Sequence, residues 1–302
     1  MRIIDAHVHL TDRICGYGPN GETRPIGGGK VRWPDGEQMH LIPAEYGDKE
    51  FLCETHLKLM DESGIEKAVL LQAGPYGYTN EYYAEVAARY PDRYIPAGGF
   101  DPCFGRSEAV LDSLINKMGF RIFKFELSTA HGISGCHCSM MLDEPRMRKA
   151  FARIADVDAT LVMDIGHPTM SSYQVDAVRR IARDYPSMRI VICHLLMGGG
   201  LQIDQWRRDL ASLVRDNVWF DLAALPPNMN DTNYPYIATQ KLVSLAREEV
   251  GAERLIWGSD APSMLLNGSY TQAFDYLMKS GIFTEDEQQD VFYNNAVRAY
   301  AL

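Results

Sequence analysis

Eight short apolar runs recur along the chain, and amphipathic segments separate most of them. Each run is rich in Val, Ile, Leu, Phe or Tyr, which is typical of strands buried on both faces. The predicted strands span residues 3–9, 67–72, 94–100, 120–127, 160–166, 189–194, 218–222 and 255–259. Strands that alternate with helices pair in parallel through crossovers, so eight of them predict an α/β fold, a (β/α)₈ TIM barrel.

A doubly wound open sheet is the alternative fold. The first predicted strand lacks the glycine-rich phosphate turn of that fold, so the barrel is favoured. The 302 residues, 46% hydrophobic and 23% charged, fit one barrel domain over 1–302.

The connection at about residues 10–50 is irregular. It contains eight glycines, four prolines and no helical period. A connection of this length is usually functional or disordered, and this one follows the end of a strand, where barrels build active sites. It is therefore either part of the site or a mobile surface insertion.

Polar residues cluster at predicted strand ends. His7 and His9 end the first strand, where alternation places them on one face with Ile3 and Asp5. The others at strand ends are His167, His194 and Asp260. Imidazoles and a carboxylate are the ligands that a divalent ion such as Zn²⁺ favours, although single histidines at strand ends also occur as hydrogen-bonded core residues.

The motifs "DAHVH", "GHP", "CH" and "GSDAP" at these strand ends, with the closing "YNNAVRAY", resemble the amidohydrolase superfamily. The resemblance is greatest to the amidohydrolase-related branch that contains aminocarboxymuconate-semialdehyde decarboxylase, resorcylate-type decarboxylases and dicarboxylate lactonases. It implies that one metal, zinc or manganese, is bound by His7, His9, His167 and Asp260. It also implies that His194 is a catalytic residue next to the metal.

The resemblance implies a metal-dependent hydrolase of a small carboxylate-bearing lactone, amide or ester, with Asp260 as both ligand and base. A non-oxidative decarboxylase of an unsaturated or aromatic acid is the alternative, because one fold supports both reactions. A barrel that binds ligand or metal without turnover is the third hypothesis.

A substrate carboxylate requires a cation. Arg24, Lys30 and Arg32 in the first connection are candidates. Lys124 on the fourth predicted strand either contacts the substrate, pairs with a carboxylate, or, if carboxylated, bridges two metals as in binuclear relatives.

The loop after the fourth strand, "STAHGISGCHCSMM", fits no template. It contains His131, Cys136, His137 and Cys138. This set either binds a second soft ion or lines the pocket.

The net charge of −10 argues against nucleic acid and anionic membranes as partners. Without a recognisable signal peptide or a disulfide spacing among the six cysteines, a cytoplasmic location is expected. The family resemblance makes a homodimer a reasonable expectation.

Overall fold

The computed structural model describes residues 1–197 and 203–302 of the chain. Its strands are β1 Ile4–Val8, β2 Tyr17–Gly18, β3 Gly21–Glu22, β4 Arg24–Gly27, β5 Lys30–Arg32, β6 Gln38–His40, β7 Lys67–Leu70, β8 Tyr94–Pro96, β9 Ile122–Glu126, β10 Thr160–Asp164, β11 Ile190–Ile192, β12 Val218–Asp221 and β13 Leu255–Ile256. Its α-helices are α1 Cys53–Ser63, α2 Asn80–Arg89, α3 Ser107–Asn116, α4 Ile133–Cys136, α5 Pro145–Ala155, α6 Val175–Asp184, α7 Ile203–Leu213, α8 Leu225–Asn228, α9 Ile237–Val250, α10 Gln272–Met278, α11 Glu285–Gln289 and α12 Asn295–Tyr300.

Eight of the strands in the described residues form a closed parallel barrel. β1, β7 and β8 pair in that order, and β9 to β13 form a second parallel set. Parallel bridges join the two sets, Val8 to Ala261 at one seam and Gly98 to Phe123 at the other. The predicted (β/α)₈ barrel is therefore confirmed, and each predicted strand contains one of the eight.

Apolar side chains pack on both sides of the barrel strands, in the barrel interior and beneath the surrounding helices. The barrel interior is filled by residues such as Ile4, Ala6 and Val162, which are fully buried. α12 packs against this interior, where Thr160 Oγ1 donates to the Ala299 carbonyl at 2.7 Å. Because Thr160 begins β10, α12 closes the N-terminal end of the barrel and leaves the C-terminal end for the site.

The first connection is folded into small antiparallel sheets. β2 pairs with β3, and β4, β5 and β6 form a three-stranded sheet. Gly29 enables this fold, since its φ is +70° and an added Cβ would lie 1.7 Å from the Ile42 carbonyl oxygen. The glycines of this segment thus belong to a built structure above the first strand.

Candidate functional site

A register shift in β1 determines the direction in which its two histidine side chains point. The pairing of β1 with β7 shifts between Asp5 and Val8. The prediction that Asp5 shares a face with both histidines was wrong. The Asp5 carboxylate accepts a hydrogen bond from the Tyr270 hydroxyl at 2.6 Å, whereas His7 turns towards His9. β-bulges near active sites commonly re-aim a side chain in this way.

His7, His9 and Asp260 meet at the C-terminal end of the barrel. The two Nε2 atoms of the histidines lie 3.2 Å apart. Oδ1 of Asp260 lies 2.9 Å from His9 Nε2 and 3.5 Å from His7 Nε2. Residues separated by more than 250 positions in the sequence therefore converge on one point.

Each imidazole is oriented through its other ring nitrogen. His7 Nδ1 donates to Asp221 Oδ2 at 2.9 Å, and His9 Nδ1 donates to the Leu71 carbonyl at 2.7 Å. A hydrogen bond at Nδ1 leaves the Nε2 lone pair free for a ligand role. The structure thus sets the tautomer that metal-binding histidines need.

His194 joins this group through an uncommon backbone conformation. Its φ is +56°, and its amide N–H donates to Asp221 Oδ1 at 2.7 Å. Its Nδ1 donates to the Ala223 carbonyl at 2.8 Å. The ligand atoms of His7, His194 and Asp260 all lie within 4.8 Å of one another. Left-handed backbone at a residue other than glycine is strained and is concentrated at functional sites.

The buried carboxylates and imidazoles shift one another's pKa. Burial lowers the pKa of His7 to about 4. Burial also acts to lower the pKa of His194. The carboxylates of Asp164, Asp221 and Asp260 outweigh burial and raise the pKa of His194 to about 10. Burial alone would raise the pKa of Asp260, yet the neighbouring imidazoles of His9, His7 and His194 hold it well below its usual range. The group therefore combines a carboxylate with a proton-donating imidazole.

His167 is not a member of the group in which the ligand atoms of His7, His194 and Asp260 lie within 4.8 Å of one another. It is half-buried on the loop after β10, and its Nδ1 lies 2.9 Å from the Thr169 hydroxyl. The structure therefore brings together four of the five residues predicted at strand ends.

Lys124 lies buried on β9 and pairs with a carboxylate. Its Nζ lies 3.1 Å from Glu126 Oε2 and donates to the Gln72 carbonyl at 3.3 Å. Burial disfavours the ammonium, but Glu126 outweighs this effect and raises the pKa of Lys124. Burial and the Asp164 carboxylate raise the pKa of Glu126. Asp164 in turn lies 3.4 Å from His194 Nε2, so it links this pair to the histidine group.

Lys124 and Glu126 line a cavity of about 360 Å³ between the loops. Tyr17, Tyr78 and Phe104 contribute its aromatic walls. Arg24 and Arg32 are exposed and line a different cavity with Trp33. Lys30 is exposed on the same small sheet. Of the four predicted substrate-binding cations, Lys124 is therefore the one that lines this cavity of about 360 Å³.

The two histidines of the loop after β9 contact residues from other loops. His131 stacks on Trp33 of the first connection, with ring centroids 5.9 Å apart. His137 Nε2 lies 2.7 Å from Asp101 Oδ2 in the loop after β8. Cys136 and Cys138 are exposed.

Sequence reasoning missed Asp164 and Asp221. Asp164 ends β10 and Asp221 ends β12, and each lies inside a predicted strand, in "LVMD" and "VWFD", where a charged residue interrupts an apolar run. A carboxylate at the end of a barrel strand is itself a signal of function. The sequence therefore contained a signal for both Asp164 and Asp221.

The fold and this group of side chains define the class of (β/α)₈-barrel enzymes with an active site at the C-terminal ends of the strands. Residues 4–302 match the family model described as Amidohydrolase. The chain belongs to the amidohydrolase family and is an enzyme of that family.

Three similar proteins illustrate its relatives. L-fucono-1,5-lactonase of Burkholderia ambifaria is 24% identical over 79% of this chain and 77% of its own length. Gamma-resorcylate decarboxylase of Rhizobium radiobacter is 25% identical over 69% of this chain and 76% of its own length. The crystal structure of an amidohydrolase from Burkholderia multivorans with bound zinc superposes with a TM-score of 0.74, at 17% identity and full coverage of both chains.

Among residues 1–197 and 203–302, no helix has the length and apolar character needed to cross a membrane.

Proposed function

We propose that this protein is a metal-dependent hydrolase that adds water to a small carboxylate-bearing lactone, amide or ester. One observation carries the proposal. Oδ1 of Asp260 lies 2.9 Å from His9 Nε2 and 3.5 Å from His7 Nε2 at the active-site end of the barrel. The likeness to L-fucono-1,5-lactonase supports a lactone as one of the three substrate types.

The donor set fits a borderline divalent ion. Two imidazoles with tied Nδ1 atoms face one carboxylate oxygen, and such oriented nitrogen and oxygen donors are typical zinc ligands. We propose His7, His9, His167 and Asp260 as the ligands. The alternative is that His194 takes the place of His167 as the fourth ligand. Zinc is the proposed ion and Mn²⁺ the alternative, and the bound zinc of the Burkholderia multivorans amidohydrolase supports zinc.

When bound, such an ion acts as a Lewis acid that makes water nucleophilic at neutral pH. Asp260 accepts the proton of the attacking water and returns it to the leaving group. The His194 imidazolium, anchored by Asp221 and Ala223, donates a hydrogen bond to the substrate oxygen on which negative charge develops.

Lys124 is the proposed partner of the substrate carboxylate. It lines the cavity and is held in place by Glu126. Arg24, Lys30 and Arg32 are retained as proposed contacts for a substrate that extends over the first connection, where they are exposed.

Decarboxylation of an aromatic acid is the second candidate function. Tyr17, Tyr78 and Phe104 wall the cavity, and aromatic walls suit a ring-bearing substrate. Gamma-resorcylate decarboxylase is as similar in sequence as the lactonase is.

A substrate panel separates the functions. Purified protein is incubated with lactones, amides, esters and unsaturated or aromatic acids. Proton release is measured for lactones and esters, amine release for amides, and CO₂ release for all substrates. We expect proton or amine release without CO₂, lost by at least 100-fold in Asp260→Asn. CO₂ release from an acid would establish the decarboxylase instead, and no turnover with retained metal would indicate a binding protein. The cytoplasmic location and the homodimer stay predictions.

A further inference from the structure

We propose that Asp101, Cys103 and His137 form a second divalent-metal site, which ties the loop after β8 to the loop after β9. The carboxylate, thiol and imidazole ligand atoms of these residues all lie within 4.8 Å of one another. None of the three belongs to the proposed catalytic group. The site therefore stands independently of the proposed function.

The three side chains are positioned before any ion binds. Oδ2 of Asp101 lies 2.7 Å from His137 Nε2, while its Oδ1 accepts the backbone N–H of Cys103 at 2.8 Å. The Asp101 side chain is 8% exposed. A buried carboxylate with one oxygen fixed by a backbone amide presents its other oxygen in a defined direction.

His137 reaches this point because of the short helix α4. Its backbone N–H donates to the Ile133 carbonyl at 2.9 Å, which continues the turn of α4 by one residue. Its ring also contacts Phe104 edge to face, with centroids 6.4 Å apart. Ligands from two separate loops thus face each other across the rim of the cavity.

The donor set selects the ion. One thiolate, one imidazole and one carboxylate suit a borderline soft ion such as Zn²⁺, and they exclude Mg²⁺ and Ca²⁺, which prefer oxygen. Met140 Sδ lies 3.8 Å from Cys103 Sγ and adds a second soft atom. In a tetrahedral zinc site, neighbouring ligand atoms lie roughly 3.3–3.8 Å apart. The group therefore needs to adjust by about an ångström.

The Cys103 thiol keeps its proton more firmly than a free thiol does while no metal is bound. Burial raises its pKa, and a hydrogen bond from Arg146 offsets this effect only in part. Metal binding displaces the remaining proton.

The pattern of Cys136 and Cys138 with His131 and His137 suggested a second ion within one loop. The alternative was that the set lines the pocket, and His131, Cys136 and His137 do line the cavity of Lys124. Within it, His137 pairs with Asp101, while Cys136 and Cys138 are exposed. Asp101 and His137 both line the cavity of Lys124, together with Phe104. An ion there would hold two walls of the proposed substrate cavity together.

The test measures metal content and a thiolate signature. Full-length protein is stripped with a chelator and titrated separately with Zn²⁺ and Co²⁺. We expect two equivalents of zinc, and a cobalt–thiolate charge-transfer absorption in the near ultraviolet. Cys103→Ser should lose the absorption, and His137→Ala and Asp101→Asn should each bind one equivalent fewer.

Cys136→Ser is the matched control, since it makes the same change on the rim of the same cavity and should leave both signals intact. Cys193→Ser should also retain the absorption, although Cys193 lies near His7. His9→Ala should lose the other equivalent and keep the absorption, which separates this site from the proposed function. The proposal is overturned if the wild type shows no thiolate absorption, or if Cys103→Ser retains it. Loss of the absorption in Cys136→Ser or Cys193→Ser would also overturn it.

Discussion

The Asp221 carboxylate holds His7 in place, accepting a hydrogen bond from His7 Nδ1 at 2.9 Å. Its other oxygen accepts the backbone N–H of His194 at 2.7 Å. One side chain at the end of β12 thus sets the ring of one histidine and the backbone of another. Asp221 itself is fully buried.

Asp221→Asn should therefore weaken metal binding by about tenfold to a hundredfold, because its amide accepts at only one of the two positions and turns an NH₂ donor towards either His7 Nδ1 or the His194 N–H. The measurement is competition for zinc against a chromophoric chelator. Asp216→Asn is the control, since Asp216 is fully exposed and pairs only with Arg254 in the described residues. An affinity within twofold of the wild type in Asp221→Asn would contradict the orienting role.

His167→Ala tests the fourth ligand. If His167 binds the ion as proposed, the variant should lose at least tenfold in zinc affinity, while His194→Ala should mainly reduce turnover. The same chelator competition decides this. The reverse result, unchanged affinity in His167→Ala and weakened affinity in His194→Ala, would assign the fourth position to His194, whose ligand atom already lies near His7 and Asp260.

Lys124→Met should reduce the free energy of unfolding by roughly 3 kcal/mol, because it leaves the Glu126 carboxylate buried beside Asp164 without its partner. Urea denaturation measures this loss. The double variant Lys124→Met/Glu126→Gln should recover most of the stability, since it removes both charges.

The double variant also separates stability from substrate binding. Its KM for a carboxylate-bearing substrate should stay raised by about tenfold or more if Lys124 contacts the carboxylate. A KM equal to that of the wild type would show that Lys124 has a purely structural role.

His56 should make the protein less stable in acid. It is fully buried on α1, and its ring nitrogens are hydrogen-bonded to the hydroxyls of Tyr94 and Tyr270. Burial lowers the pKa of His56 from 6.5 to about 3. The unfolded chain therefore binds a proton below about pH 6.5 that the folded chain does not bind until about pH 3. The stability from this group is complete above pH 6.5 and is lost as the pH falls towards 3.

Between pH 7 and pH 4.5, His56→Gln should lose about 2–3 kcal/mol less of its unfolding free energy than the wild type. Urea denaturation at both pH values measures this difference. His40→Gln, at an exposed position, should behave as the wild type does. Equal losses in His56→Gln and the wild type would show that His56 is not buried in its neutral form.

Much of the barrel was predictable because its signals are local. Apolar runs and the turns between them predicted all eight strands. The closing motif "YNNAVRAY" contains α12, the helix that closes the N-terminal end of the barrel. Asn295 shows the physical basis of that motif, as its side-chain amide donates to the carbonyls of Ala252 and Leu255 at 2.8 and 2.7 Å.

The partners of the predicted site residues were not predictable in the same way. The expected shared face of Asp5 and His7 failed because a single register shift in β1 reverses the alternation. His137 was grouped with the neighbouring cysteines, whereas it pairs with Asp101, which is 36 residues away.

By itself, the sequence determined that eight strands form a barrel and that histidines and carboxylates lie at their C-terminal ends, since strand periodicity and residue type are local properties. Only the tertiary structure decided which of these side chains meet. That outcome depends on how the barrel closes and on the paths of the loops, which bring Asp260 beside His9 and Asp221 beside His7. Contacts between residues more than 200 positions apart leave no periodic pattern in the chain, because they arise only when the last strand pairs with the first.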